Sequence, residues 1–322
     1  MAMTDLSLDD LRVYSPNLPV PLDLDEFWAA TLAESRALGW SPVLTPVTTG
    51  LTLVDTYDVT FAGFEGQPVR AWLHVPAGVD RPLPSLVRYL GYGGGRGLAH
   101  EVSAWTLAGY ACLTMDTRGQ GSAWAPGDTA DSAGSLPAYP GFMTRGVADP
   151  LTYYYRRLYT DAVLAVDAVR TLPMVDAAYV SVTGHSQGGG LALAVSALVT
   201  DLAAVMPDVP FLCDFPRAAQ IADTEPYVEI VRYLRVHREQ VQRAFATLAY
   251  FDCAVLVRRS SAAALFSVAL MDQICPPSTV YAAFNAYAGP KQIVEYPFND
   301  HEGGESFHQA AQLRWLGERL TA

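Results

Sequence analysis

The sequence predicts an α/β fold, a mostly parallel central sheet with helices on both faces, and three observations predict it. Val180-Ser181-Val182-Thr183 runs into Gly184-His185-Ser186-Gln187-Gly188 and then Gly189-Gly190-Leu191-Ala192-Leu193-Ala194, which reads as strand, sharp turn and helix. Short apolar runs over residues 86–90 and 111–115 flank a helical stretch at 102–108, the alternation of a parallel sheet. Two later apolar runs, 264–271 and 292–296, each lead into a loop that holds a chemically useful side chain, Asp272 and His301.

The turn is the most specific of these signals. Ser186 has glycine at minus two and plus two, where a Cβ would crowd a strand and a helix passing close by. A serine raised on such a turn is the nucleophile elbow, so the architecture is that of an α/β-hydrolase. At 322 residues the chain is long for one domain, yet folds of this class reach that size as a single unit with a large core.

The elements follow in order. Leu24, Phe27, Trp28, Leu32, Ser35 and Leu38 keep helical spacing, with Asp23 or Asp25 as the N-cap. This helix belongs to an N-terminal helical arm over about residues 1–45. Residues 52–60 and 69–75 alternate around a Gly-containing turn and form an antiparallel pair. Residues 116–150 are rich in Gly, Pro, Ser and Asp. A loop of that length inside a domain is functional or disordered, and Trp124, Tyr139, Phe142 and Arg145 favour an ordered one. A helix over 158–170 precedes the elbow strand. A helical insertion over about 207–250 follows the elbow helix and includes a helical stretch at 227–250. The strand at 264–271, a helix at 278–286, the strand at 292–296 and a helix at 307–320 complete the chain. No repeat or linker divides it.

Composition narrows the function. Hydrophobic residues make up 51% and charged residues 17%, which describes a globular protein. The net charge of −12 argues against nucleic acid and anionic membrane as partners. Cys112, Cys213, Cys253 and Cys275 form no C-x-x-C pair and read as reduced, mostly buried thiols; a Cys213–Cys253 or Cys253–Cys275 disulfide stays open at this level. The first residues lack the pattern of a signal peptide. The apolar run at 188–199 is too short for a bilayer. The expected location is cytoplasmic.

A serine hydroxyl needs a base within hydrogen-bond reach and a carboxylate to orient that base. Only His237, His301 and His308 follow Ser186. His237 falls mid-helix and reads as a surface residue, while His308 begins the last helix and reads as partly exposed. His301, in a glycine-rich loop directly after a strand, is the expected base. Asp272 ends a strand and is the expected orienting carboxylate; Asp252 follows no clear strand and Asp300 adjoins the base. The oxyanion donors are expected at the Gln187 amide, which opens the elbow helix, and at the Tyr92 amide in Gly91-Tyr92-Gly93-Gly94-Gly95. No nucleotide-binding pattern and no H-E-x-x-H zinc motif is present, so no metal or cofactor is expected. Arg118 is expected to pair with a buried carboxylate and brace loops. The run Tyr153-Tyr154-Tyr155-Arg156-Arg157 reads as packing plus ion pairing.

Gly91-Tyr92, Arg118-Gly119-Gln120-Gly121, Gly141-Phe142-Met143-Thr144-Arg145-Gly146, Gly184-His185-Ser186-Gln187-Gly188-Gly189, Asp272-Gln273-Ile274-Cys275-Pro276-Pro277-Ser278 and His301-Glu302 together resemble carbohydrate esterase family 7, the acetyl xylan esterases and cephalosporin C deacetylases. The resemblance runs from about Phe27 to the end. It implies Ser186, Asp272 and His301 as triad, the Tyr92 and Gln187 amides as oxyanion hole, small acetylated sugars or esters as substrates, and a homohexamer with active sites facing an inner cavity. His185 and Gly93 depart from residues common in the family, Gly and Asn. The competing readings are a perhydrolase or broader acyl esterase on the same triad, and a catalytically silent scaffold that binds.

Overall fold

Side chains alternate across a strand, and strands covered on both faces are apolar at successive positions. In the computed structural model, which describes residues 5–133 and 136–320, these rules build one nine-stranded sheet. Its strands are β1 (Val43–Val47), β2 (Val54–Ala62), β3 (Pro68–Pro76), β4 (Leu83–Tyr89), β5 (Ala111–Met115), β6 (Val175–His185), β7 (Ala204–Asp208), β8 (Ala264–Ala269) and β9 (Lys291–Tyr296). They lie side by side in the order β1-β2-β3-β5-β4-β6-β7-β8-β9. The pairings up to β3–β5 are antiparallel, and all those from β5 to β9 are parallel. This is the α/β-hydrolase fold.

The helices are α1 (Leu8–Val13), α2 (Leu24–Ala37), α3 (Ala104–Leu107), α4 (Tyr154–Arg170), α5 (Gln187–Leu198), α6 (Phe215–Ile221), α7 (Tyr227–Val236), α8 (Val241–Leu248), α9 (Cys253–Leu256), α10 (Pro277–Ala286) and α11 (Glu305–Leu320). Two cores record the two faces of the sheet. Val87, Val182 and Val205 pack with α4 and α5, whereas Leu86, Ala204 and Met206 pack with Trp105 of α3 and Leu316 of α11. Helix α5 is buried from Gln187 to Ala197, because the sheet covers one side and α4 and α9 cover the other. That explains an apolar helix with no polar face.

Several boundaries differ from the sequence reading. Strand β1 lies within and beyond the end of the expected arm; Pro46 disguised it, and as an edge strand it tolerates a missing N–H. Strand β7 went unread for a similar reason, with Pro207 next to its end. The stretch 227–250 breaks into α7, a 3-10 turn and α8, with His237 capping α7. The helix before the elbow starts at Tyr154, so it takes in the Tyr/Arg run, and the last helix starts at Glu305. Asp23 sits at the N-cap of α2 but makes no capping bond; it accepts from the Tyr250 hydroxyl, and Asp25 pairs with Arg259.

Residues 116–153 hold no helix or strand among those described, yet the segment is firmly tied. Asp116 accepts four backbone N–H groups, from Arg96, Thr117, Asp128 and Thr129. Arg118, fully buried, forms a two-pronged pair with Asp161 of α4 at 2.5 and 2.8 Å, the bracing role read from the sequence. Tyr153, Tyr154 and Tyr155 are buried and Arg157 pairs with Asp131 at 2.8 Å, so that run is packing and ion pairing. All four cysteines are buried free thiols. No helix among the described residues is long and apolar enough to cross a membrane.

Candidate active site

The elbow works by close approach. A Cβ on Gly184 would sit 2.3 Å from the Gly188 carbonyl carbon, and one on Gly188 would sit 2.3 Å from the Tyr89 carbonyl oxygen. Ser186 takes φ 56° and ψ −119°, a left-handed conformation that L-residues rarely hold. Strain of that kind needs surrounding support. Here the Ser186 N–H donates to the Asp208 carbonyl at 2.9 Å, and its own carbonyl accepts from Phe211 and Gly190, both at 3.0 Å.

Ser186, Asp272 and His301 lie 115 and 29 residues apart in pairs and meet at the carboxyl ends of the parallel strands. The His301 Nε2 is 2.9 Å from Ser186 Oγ, and its Nδ1 is 2.9 Å from Asp272 Oδ2. Asp272 is fully buried at its carboxylate, and its other oxygen accepts the Ile274 and Cys275 N–H groups, each at 2.8 Å. A carboxylate so placed requires the proton on His301 Nδ1, which leaves Nε2 as acceptor for the serine hydroxyl. The competing acids have other work. Asp252 caps α9 and accepts the Asp214 and Phe215 amides, and Asp300 accepts the Gln273 amide. Among the described residues the one trio of metal-capable side chains is Asp272, Cys275 and His301, where both imidazole nitrogens are already engaged.

Ser186 and His301 open into a cavity of about 570 Å³. Tyr92, Trp124, Phe142, Pro226 and Ile274 form much of its wall, so the loop at 116–153 and the segment before α7 both contribute. Gln187, by contrast, buries its side chain, which accepts from Tyr155 OH at 3.0 Å and donates to the Leu90 carbonyl at 3.2 Å. Its backbone N–H begins α5 directly after the serine, at the positive end of the helix dipole.

Several supporting residues escaped the sequence reading. Gln120 accepts from the Gly93 N–H at 2.6 Å and donates to Tyr154 OH and Gln187 Oε1, both at 3.0 Å, so it links the two loops expected to supply oxyanion donors. Glu229 of α7, 2% exposed, accepts from Tyr92 OH at 2.6 Å. Burial raises its pKa to about 7. An acid between Tyr227, Ile230 and Tyr233 on the buried stripe of α7 was the available signal. His308 is wholly buried, not partly exposed: it meets Tyr296 OH at 3.1 Å, and burial lowers its pKa. His237 is half-buried and lies at the C-cap of α7 and not mid-helix, where it stacks on Tyr233 four residues earlier with ring centroids 4.3 Å apart. His185 meets Asp208 at 3.0 Å and packs edge-on against His301. Burial opposes its charge, but Asp208 prevails and raises its pKa.

Comparison with known proteins decides the family. The acetyl xylan esterase (AXE1) family model matches residues 1–319. The chain belongs to the acetyl xylan esterase family. The acetyl xylan esterase from Paenibacillus sp. R4 is 38% identical to this family member, covers 97% of it and 99% of its own chain, and superposes with a TM-score of 0.91. Acetyl xylan esterase 1 from Thermoanaerobacterium sp. JW/SL YS485 is 33% identical, with 98% and 99% covered and a TM-score of 0.90. The acetyl esterase Axe7A of Xylanibacter ruminicola is 25% identical over 96% of this acetyl xylan esterase family member and 69% of its own length. The protein is therefore a hydrolase of the esterase type.

Proposed function

We propose that the protein is a serine esterase that removes acetyl groups from acetylated xylo-oligosaccharides and small acetyl esters, cephalosporin C among them, through an acyl-enzyme on Ser186. The observation that carries this reading is the continuous relay from Asp272 through His301 to Ser186, with 2.9 Å at both links, at the floor of a cavity. The His301 Nε2 takes the hydroxyl proton as Oγ attacks the acetyl carbonyl. The Tyr92 and Gln187 N–H groups receive the charge that develops on the carbonyl oxygen. His301 then protonates the departing sugar alcohol, which leaves Ser186 acetylated. Water enters, gives its proton to His301 and attacks the acetyl carbon; acetate departs as Oγ regains the proton. Asp272 stays ionised throughout and holds the imidazole tautomer.

Ser186→Ala should abolish release of acetate from acetylated xylo-oligosaccharides, and full turnover by that variant would end the proposal. Rates across acetyl, butyryl and octanoyl esters test the acyl preference; a rise with chain length would refute the acetyl reading. The homohexamer and the cytoplasmic location belong to this same reading. A monomer in sedimentation at micromolar concentration would remove the assembly from it.

A further inference from the structure

Tyr92 is expected to offer only its backbone N–H to the reaction, yet its side chain is held more tightly than a wall residue requires. The phenol donates to Glu229 Oε1 at 2.6 Å and accepts the Phe142 N–H at 2.5 Å. The second carboxylate oxygen of Glu229 accepts the Met143 N–H at 3.1 Å. The Tyr92 carbonyl accepts from Trp124 Nε1 at 2.9 Å, and the next amide, Gly93, donates to Gln120. The residue is thus fixed at its ring tip and at both ends of the peptide that follows it, and it lines the cavity into which Ser186 opens.

The fit around Glu229 is close. Gly141 has φ 126°, and a Cβ there would lie 2.2 Å from the Glu229 carboxylate, so glycine is needed for the loop to pass over the acid. Tyr92 also packs edge-on against Phe142 and Phe211, with ring centroids at 5.6 and 6.3 Å. Burying a carboxylate away from any Lys or Arg is unfavourable unless its hydrogen bonds are satisfied. No lysine or arginine pairs with Glu229 among the described residues. A core stabilised for packing alone would place an apolar residue here.

We infer that Glu229 is a positioning residue for the oxyanion hole: by gripping the Tyr92 phenol and the loop at Phe142 and Met143, it sets the direction of the Tyr92 N–H. Helix α7 carries this grip, and Glu225 and Pro226 just before it line the same cavity. The inserted helices and the oxyanion loop are therefore one mechanical unit. Oxyanion donors act through preorganisation, and loss of one donor lowers kcat by about 10²–10³. A donor misdirected but still present should lose less, on the order of tenfold.

The inference rests on Tyr92 as oxyanion donor, and its test separates the two. Tyr92→Phe keeps ring and amide but removes the phenol, and Glu229→Gln keeps shape but cannot accept from both Tyr92 and Met143. Each should lower kcat for an acetyl ester about tenfold while KM stays within about twofold. Affinity for a trifluoromethyl ketone, whose adduct with Ser186 places an oxyanion in the hole, should fall in step with kcat/KM. The double variant should be no slower than the slower single variant, since both remove one link. Wild-type kcat in Tyr92→Phe, a change in KM alone, or additive losses would overturn the inference. Should Glu229→Gln fail to fold, Tyr92→Phe decides alone. Retained activity in Ser186→Ala would instead overturn the esterase mechanism itself.

Discussion

Replacing Asp272 by asparagine tests the relay at its most determined point. Asp272 Oδ1 accepts two amides at 2.8 Å, while Oδ2 faces His301 Nδ1 at 2.9 Å. The asparagine must keep its oxygen toward the amides, because turning its NH₂ there would strand buried donors at about 1–3 kcal/mol each. Its NH₂ then points at His301 and donates to Nδ1. The imidazole is left with its proton on Nε2, the atom 2.9 Å from Ser186 Oγ, and no longer accepts the hydroxyl proton. A tautomer reversed in this way lowers kcat by about 10⁴, or roughly 5.5 kcal/mol of barrier at about 1.4 kcal/mol per factor of ten. Initial rates with p-nitrophenyl acetate, beside thermal melts showing the fold intact, measure the loss. A folded Asp272→Asn protein with kcat within tenfold of wild type would refute the tautomer argument.

Further expectations concern the support of the site. Arg118→Met leaves Asp161 charged and buried, and should cost about 3–5 kcal/mol in urea unfolding; a loss below about 1 kcal/mol would deny the brace. Gly188→Ala drives a methyl into the Tyr89 carbonyl and should shift the elbow enough to lower kcat by about 10² or more; wild-type rates would contradict the close approach. The pKa of Glu229, raised by burial from 4.5 to about 7, makes the folded state bind the extra proton across that window. Its contribution to stability is full below about pH 4.5 and is lost as pH rises to about 7, by on the order of 3–4 kcal/mol at roughly 1.4 kcal/mol per pH unit. Melting temperatures should therefore rise for Glu229→Gln relative to wild type between those limits; a constant difference would remove Glu229 as the titrating group.

Much of the site was legible because its chemistry follows chain order. The glycines around Ser186, the acid three residues past β8 and the histidine after β9 each carry a local signature, and strand ends place such residues on one rim of a parallel sheet. Strands β1 and β7 were hidden by Pro46 and Pro207, since proline argues against a strand until its neighbours are known. His308 read as partly exposed because it sits near the start of a helix, and only the packing of α11 against the sheet buries it.

The sequence by itself determined the elbow and the alternation of strands and helices, since each depends on spacing within a short segment, and it singled out His301 and Asp272 as the candidates that the fold brings to Ser186. Tertiary structure alone decided how that elbow is supported. Asp208 beside His185, Gln120 between the two loops and Glu229 beneath Tyr92 join residues 23, 67 and 137 positions apart. Pattern over a few residues cannot register such pairs. Their partners are selected by burial, where a polar group must find a hydrogen bond wherever the fold supplies one.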